Sequence, residues 1–138
     1  MKTLSRTCSA AGFAALLAFA GTAAAHAASV TVPDEGTLLA DGAGATVSVS
    51  FECSSGSTIN IFVDAAQTVD DNRVATGNGF SSTADCNGAE DSLDVTFLAA
   101  GDYVAFEEGT AAIRVVLISC DTQTCEQIIE AGEVDLTE

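Results

Sequence analysis

Basic side chains are scarce in this 138-residue chain, which has four Lys and Arg residues, one His and 20 Asp and Glu residues. Trp is absent, and Pro and Met occur once each. The negative charge repels phosphates and anionic lipid headgroups, so we do not expect binding to nucleic acid or to a membrane surface, whereas cations and basic partners are favoured. We expect most of the carboxylates to keep the protein hydrated rather than to bind one specific cation.

The N-terminus has the layout of a secretory signal peptide. Lys2 and Arg6 precede an Ala-rich apolar stretch, and an A-x-A motif ends at Ala27. We therefore expect residues 1–27 to be a signal peptide and residues 28–138 to be one mature, secreted domain. The alternative is an uncleaved anchor, but the run is rich in weakly apolar alanine and a spanning helix needs about 20 apolar residues.

Signal removal would eliminate the only His and the only Lys, leaving two arginines against 20 acids, a formal charge of −18. The usual general base and the amine nucleophile would then be absent, which excludes serine–histidine–aspartate and cysteine–histidine mechanisms. Carboxylate pairs remain, as in glycosidases, at Glu107 and Glu108 or at Asp70 and Asp71. Solvated acids are the simpler interpretation of both pairs, so we do not expect an enzyme.

Alternation of apolar and polar residues predicts an all-β domain. In 46–53, for example, Val47, Val49, Phe51 and Cys53 share one face. About seven short strands separated by turns predict an immunoglobulin-like antiparallel β-sandwich, with a small closed barrel as the alternative. The expected strands are 29–32, 46–53, 58–65, 92–98, 111–120, 126–129 and 134–136.

Two segments between these strands carry turn chemistry. Residues 33–44 are rich in Gly and Asp and predict a loop with at most a short edge segment. Asn78 followed by Gly79 predicts a tight hairpin turn, because both residues tolerate positive φ.

Four cysteines lie in the expected mature chain, since Cys8 belongs to the signal peptide. An even number of cysteines in an exported protein predicts two disulfides. Cys120 and Cys125 flank a four-residue turn and are assigned to each other, which pairs Cys53 with Cys86. The rival pairing of Cys53 with Cys120 would imitate antibody domains, but the Trp of that signature is missing. No metal site is expected, because no mature His remains to complete a zinc site.

Two acidic turns could supply calcium ligands, although neither has the spacing of an EF-hand loop. Ordinary turn residues are the expected interpretation. The two groups are Asp70, Asp71 and Asn72, and Asp85, Asn87, Glu90 and Asp91.

Four aromatic residues are candidates for an outward-facing binding surface: Phe62, Phe80, Tyr103 and Phe106. Phe62 breaks the alternation of its strand. Because the mature chain has few aromatics, we expect core packing to take most of them. Tyr103 is the leading exception, since its hydroxyl needs water or a polar partner.

The chain has an opening VTV, a turn containing DG, FEC at a strand end, Gln67 after the next strand, DCNGAED around the second cysteine, and FEEGTAAIRV. These motifs, which lie between Val30 and Leu136, resemble a family of small exported actinobacterial proteins of unknown function. This resemblance implies export and an immunoglobulin-like fold, and it implies no activity.

The motif CDTQTC is similar to the second disulfide of the neocarzinostatin family of enediyne-carrying apoproteins. That resemblance implies a carrier of a small apolar ligand. The first bridge departs from the family, where it closes a short loop, because Cys53 and Cys86 are far apart in the chain. No residue is therefore assigned to a chromophore cleft.

The leading functional hypothesis is a secreted, non-catalytic, disulfide-stabilised domain with a binding or structural role. We expect it to be a monomer without a cofactor. Its partner would be an unidentified protein or small molecule. A ligand carrier is the first alternative. A carboxylate-based hydrolase is the second.

Overall fold

The computed structural model describes residues 27–83, 86–101 and 104–138, and the regular elements within them are all β-strands. The expected signal peptide up to residue 26 lies outside the described residues, as do Asp85 and Tyr103. The strands are β1 (Ser29–Thr31), β2 (Glu35–Leu39), β3 (Gly44–Glu52), β4 (Thr58–Asp70), β5 (Arg73–Thr83), β6 (Asp91–Ala100), β7 (Gly109–Cys120) and β8 (Cys125–Thr137).

The strands form one sheet that closes on itself. Their order is β1-β3-β2-β8-β7-β4-β5-β6, and β3 also pairs with β6. Strands β2 to β8 thus make a seven-stranded barrel, and β1 adds an eighth strand on β3. The all-β class is confirmed, but the strands close into a barrel where the sequence favoured two separate sheets.

One strand pair is parallel, so the barrel is mixed where an antiparallel fold was expected. Glu35 pairs with Asp135 and Thr37 with Thr137 in parallel, while β2 is antiparallel to β3. Pro33 separates β1 from β2, and proline lacks the N–H needed to continue a ladder. After β1 the chain can therefore leave the edge of β3. It returns as β2, which pairs with β3 on one side and with β8 on the other, and this strand closes the barrel.

Two connections cross the ends of the barrel. The segment β3-β6-β5-β4-β7 of the strand order contains two overlapping Greek keys, because β3 lies beside β6 and β7 lies beside β4. The remaining neighbours in the barrel are joined by short hairpins or by the β2–β8 contact.

Alternate residues of the strands fill the barrel interior, as the sequence pattern predicted. In β3, Val47, Val49 and Phe51 are buried, and Cys53 follows them into the core. Phe97 and Phe106 meet edge to face, with ring centroids 5.3 Å apart. The largest fully buried side chains are Phe97, Phe106, Ile59, Ile61, Leu117, Leu136, Val47, Val49, Val63, Val95, Val115 and Val134.

The expected hairpin at Asn78 and Gly79 is wrong, because β5 runs through both residues. The turn lies earlier, between Asp70 and Arg73, which are the last pair of β4 and β5. Gly77 faces inward, where a Cβ would lie 2.8 Å from the carbonyl oxygen of Leu98. These glycines therefore allow β5 and β6 to approach closely and do not mark a turn.

Three other boundaries differ from the sequence expectation. Residues 33–44 contain β2, a strand of the barrel and not merely a loop. Residues 126–129 and 134–136 belong to one continuous strand, β8. The expected strand at 58–65 extends to Asp70.

Both disulfides are present with the pairing expected from the sequence. Cys53 is bonded to Cys86, with Cα atoms 6.0 Å apart, and Cys120 to Cys125, with Cα atoms 4.1 Å apart. The first bridge joins the chain beyond β3 to the segment after β5. Two backbone hydrogen bonds reinforce it: Cys86 C=O accepts from Gly56 N–H, and Cys86 N–H donates to Ser57 C=O.

In the described part of the chain, no helix has the length and apolar character that a membrane crossing requires.

Candidate functional site

Four apolar side chains form a continuous row across the outer face of the barrel. Phe80 of β5 pairs with Phe62 of β4, Phe62 with Val116 of β7, and Val116 with Ile129 of β8. We call these four residues the apolar row. Phe62 is 40% exposed, Phe80 54% and Ile129 53%, whereas Val116 is half-buried.

The row arises because apolar residues occupy the outward phase of otherwise alternating strands. Ile61 and Val63 are fully buried, so Phe62 between them must face outward. The Phe62 and Phe80 rings are tilted by 41° with centroids 4.9 Å apart. Such a cross-strand pair stabilises a sheet by about 0.2–1 kcal/mol, which explains the ring contact but not why half of the Phe80 surface is left in water.

The rows on either side are mainly polar. One consists of Ser82, Asn60, Ile118 and Gln127, and the other of Asn78, Asp64, Arg114 and Ala131. Within the second, Arg114 Nη2 lies 2.6 Å from Asp64 Oδ2, and Nε donates to the same oxygen. An apolar centre bounded by polar neighbours is typical of a surface that binds another molecule.

A shallow depression lies beside the ion pair on the same outer face. It has a volume of about 310 Å³, and its floor is made of small residues. Ala66 and Ala112 pair across β4 and β7, and Gly132 follows Ala131 on β8. Small side chains at these positions leave room above the sheet that a larger residue would fill.

A second depression, of about 640 Å³, lies at one end of the barrel and has acidic walls. Asp41, Glu107, Glu108 and Glu138 contribute to its lining. The two neighbouring glutamates proposed as a carboxylate pair thus line the same depression, and both are exposed. We call this the acidic depression.

Gln67 holds the segment that carries these glutamates. Its Nε2 donates to Glu107 C=O at 2.9 Å, and its Oε1 accepts from Glu107 N–H at 2.8 Å. The neighbouring Phe106 N–H donates to Gly42 C=O at 2.9 Å, and the Phe106 ring enters the core. The backbone of this wall is therefore held by hydrogen bonds to β4 and to the chain before β3.

The arginines of the described residues are both engaged by aspartates. Arg73 Nε lies 2.5 Å from Asp70 Oδ2, in addition to the Arg114 pair. The N–H of Asn72, followed by the Arg73 guanidinium, lowers the pKa of Asp70. The described surface therefore carries carboxylates in large excess over cations, and Asp70 already has hydrogen-bond donors.

The two acidic turns considered for calcium act as turns where the structure describes them. Asn87 Oδ1 accepts from Ala89 N–H at 2.8 Å, and Asp91 Oδ1 accepts from Ser92 N–H at 2.8 Å. Asp85 lies outside the described residues. In the ranges 27–83, 86–101 and 104–138, no group of three or more His, Cys, Asp or Glu side chains is arranged to hold a metal ion.

The aromatic candidates divide between core and surface. Phe106 is buried, as expected. The expectation of core packing is wrong for Phe62 and Phe80, which are exposed members of the apolar row. Tyr103 is outside the described residues. Phe62 had a signal in the sequence, because it shares a phase with Asn60 and Asp64. The sequence gives no such signal for Phe80, because Asn78 and Gly79 predict a turn immediately before it.

The sequence matches no protein-family model, and a search of curated proteins finds no match either.

Proposed function

We propose that the protein is an exported, non-catalytic binding domain that contacts its partner through the apolar row. The observation that carries this proposal is the alignment of Phe80, Phe62, Val116 and Ile129 on four adjacent strands. Exposed apolar surface is unfavourable in water, and a continuous strip bounded by polar residues is expected where a partner covers it.

Export is supported by the N-terminal sequence pattern and by the disulfides. Disulfides persist in oxidising compartments outside the cytoplasm. The test is N-terminal sequencing of protein recovered from the medium of its native host. A mature chain that starts at Ala28 agrees with export and cleavage, and an intact Met1 on cytoplasmic protein contradicts them.

The absence of catalysis is supported by the composition of the expected mature chain, which has neither His nor Lys. The carboxylate-hydrolase alternative retains one specific observation, that Glu107 and Glu108 line the same depression. Turnover on a panel of polysaccharides that is lost in Glu108→Gln would establish that alternative. A panel without turnover supports the binding role.

The strand order supports an immunoglobulin-like relationship within the closed barrel. Strand β3 pairs with both β1 and β6, and β7 pairs with both β8 and β4. By their positions along the chain, β1, β3 and β6 correspond to strands A, B and E of an immunoglobulin-type sandwich, and β4, β7 and β8 correspond to strands C, F and G. The apolar row crosses the second group and continues onto β5.

The binding role is tested by photo-crosslinking from the row. The photoreactive amino acid p-benzoylphenylalanine replaces Phe80 in protein returned to its native host and medium. Val74 supplies the matched control, because it lies on the outer face of the same strand, is 53% exposed and is about 20 Å away along β5. An adduct from position 80 but not from position 74 is expected, and equal labelling or no labelling contradicts the proposal.

A carrier of a small apolar ligand is the second candidate, and the depression over Ala66 and Ala112 favours it. Its volume of about 310 Å³ is at the lower end of ligand pockets. Native mass spectrometry of protein from its own host would reveal a bound small molecule, and Ala112→Phe would displace that molecule by filling the space. Protein that is consistently free of ligand argues against a carrier.

A further inference from the structure

Building on the proposed binding function, we infer that the partner at the apolar row is a cationic polypeptide that carries exposed apolar side chains. The first argument is charge. The chain has 20 acids against four Lys and Arg residues, and both described arginines are held by aspartates. The field around the row therefore attracts positive charge and repels negative charge.

The second argument is an acid on the same outer face as the row. Glu133 lies four residues after Ile129 on β8, in the same outward phase, and it pairs with Ala112. It is exposed. A polypeptide that packs apolar side chains on the row can thus place Lys or Arg beside this carboxylate.

The third argument excludes a second copy of this chain as the occupant. The row spans three inter-strand spacings, about 14 Å, whereas a stable interface typically covers about 800 Å² on each partner. An apolar contact of this width needs further stabilisation. Another copy would instead bring its own excess of carboxylates, which repel those already present. A cationic partner supplies attraction over the same surface.

The absence of Trp from the chain provides a direct binding assay. The probe is a synthetic peptide of alternating Lys and Leu with one central Trp, whose fluorescence reports binding to the otherwise Trp-free protein. Two matched peptides replace every Lys by Glu or every Leu by Ser. We expect the Lys–Leu peptide to bind, the Glu–Leu peptide not to bind, and the Lys–Ser peptide to bind at least about tenfold more weakly.

Variants assign that binding to the row. Phe62→Ser combined with Phe80→Ser should weaken Lys–Leu peptide binding about tenfold or more, while Val74→Ser should change it by less than about twofold. Thermal unfolding of each variant verifies that the fold persists. If the two Phe substitutions leave the affinity unchanged in folded protein, the inference is overturned.

Charge is tested separately. Glu133→Gln should weaken binding more than Glu52→Gln, which removes the same charge at the β3 side of the barrel. Affinity should also fall as NaCl rises from about 20 to about 300 mM, because salt screens exposed charges. Equal effects of the two glutamate substitutions, or affinity independent of salt, overturn the inference.

The failure of this inference is distinguishable from the failure of the binding function. A position-80 adduct with a partner that is acidic or uncharged at the contact preserves the function and overturns the cationic assignment. Sedimentation that shows a dimer lost in the Phe62 and Phe80 double variant makes a second copy the occupant, with the same consequence. If no adduct forms specifically from the apolar row, both the binding function and the cationic partner are contradicted.

Discussion

At the scale of single residues, Gln67 shows how one buried amide can organise a segment that lies 40 positions away. It occupies the inward phase of β4 and is only 5% exposed. Its two hydrogen bonds satisfy both the N–H and the C=O of Glu107. This explains why a polar residue lies among the apolar ones that face the barrel interior, since a buried polar group requires partners.

Replacing Gln67 by Leu should therefore lower the free energy of unfolding by about 1–3 kcal/mol, because two backbone groups lose their partner. Urea unfolding measures this loss. Gln127→Leu is the control, since Gln127 is exposed on β8 and its replacement should have a much smaller effect. Equal effects of the two substitutions would contradict the role assigned to Gln67.

Gln67→Glu refines the same test. A carboxylate keeps the acceptor for Glu107 N–H but faces the Glu107 carbonyl with a second negative oxygen. Burial and this contact should raise the pKa of the introduced acid, so its protonated form is favoured in the folded state. The variant should be destabilised at neutral pH and recover as the pH falls, when the acid can donate to the carbonyl.

Asp121 is a second residue whose ionisation is linked to local structure. Its Oδ1 accepts from Gln123 N–H and Thr124 N–H, both at 2.7 Å, within the Cys120–Cys125 loop. The Gln123 contact, followed by the Thr124 contact, lowers the pKa of Asp121 below its ordinary value of 3.8. Because the folded-state pKa is depressed, its stabilising effect is present above pH 3.8 and is lost as the pH falls through the folded value.

Carboxyl NMR titration should accordingly give Asp121 a midpoint below 3.8. Asp121→Asn keeps one acceptor oxygen but does not titrate. Its stability relative to the unmodified protein should rise as the pH drops from about 6 to about 2. A normal Asp121 midpoint, or a constant difference between the two proteins, would show that the loop does not favour the ionised form.

At the scale of elements, β5 carries the main difference between the sequence prediction and the structure. Its GNG segment has the composition of a turn, yet Gly77 and Gly79 are inward positions of a continuous strand. A Cβ on Gly77 would also lie 3.0 Å from Phe106 Cε2 and 3.0 Å from Phe97 Cδ2. Local turn chemistry cannot reveal such contacts, because both rings come from distant parts of the chain.

Gly77→Ala tests this explanation. Alanine restricts the unfolded chain and can stabilise a protein by about 0.4–1 kcal/mol, but overpacking costs about 1–3 kcal/mol. We expect the packing cost to exceed the gain, so that the urea midpoint falls. Asn78→Ala, at the adjacent outward position, is the control and should change stability little. A more stable Gly77→Ala protein would indicate that β5 and β6 have space between them.

Alternation predicted the buried face of β3 correctly but could not predict which strands are neighbours. The phase of Val47 and Val49 follows from period two alone. Closure depends on the β2–β8 and β3–β6 pairings, which join residues far apart in the chain. The same limit applies to the apolar row. The sequence shows Phe62 as an exception to alternation, but its alignment with Ile129 depends on the register of four strands, which the sequence does not reveal.

At the scale of the whole molecule, the two disulfides differ in what they restrain. Cys53 and Cys86 are 33 positions apart and connect the regions after β3 and β5, strands that are separated by β6 in the barrel. Cys120 and Cys125 are five positions apart and form the last pair of the β7–β8 ladder, which already holds them together. The first bridge is also buried at both ends, whereas Cys125 is exposed.

Removing the long-range bridge should therefore destabilise the barrel more than removing the short one. The chain-entropy model assigns about 4 kcal/mol to a loop of this length and about 2 kcal/mol to the short loop. Urea unfolding of Cys53→Ala with Cys86→Ala, compared with Cys120→Ala with Cys125→Ala, measures the difference. Mild reduction followed by alkylation should label Cys125 and Cys120 first, because a reductant needs access to the sulfur. Equal losses of stability, together with earlier labelling of Cys53 and Cys86, would show that the barrel is held by its strand pairing and not by the covalent tie between distant strands.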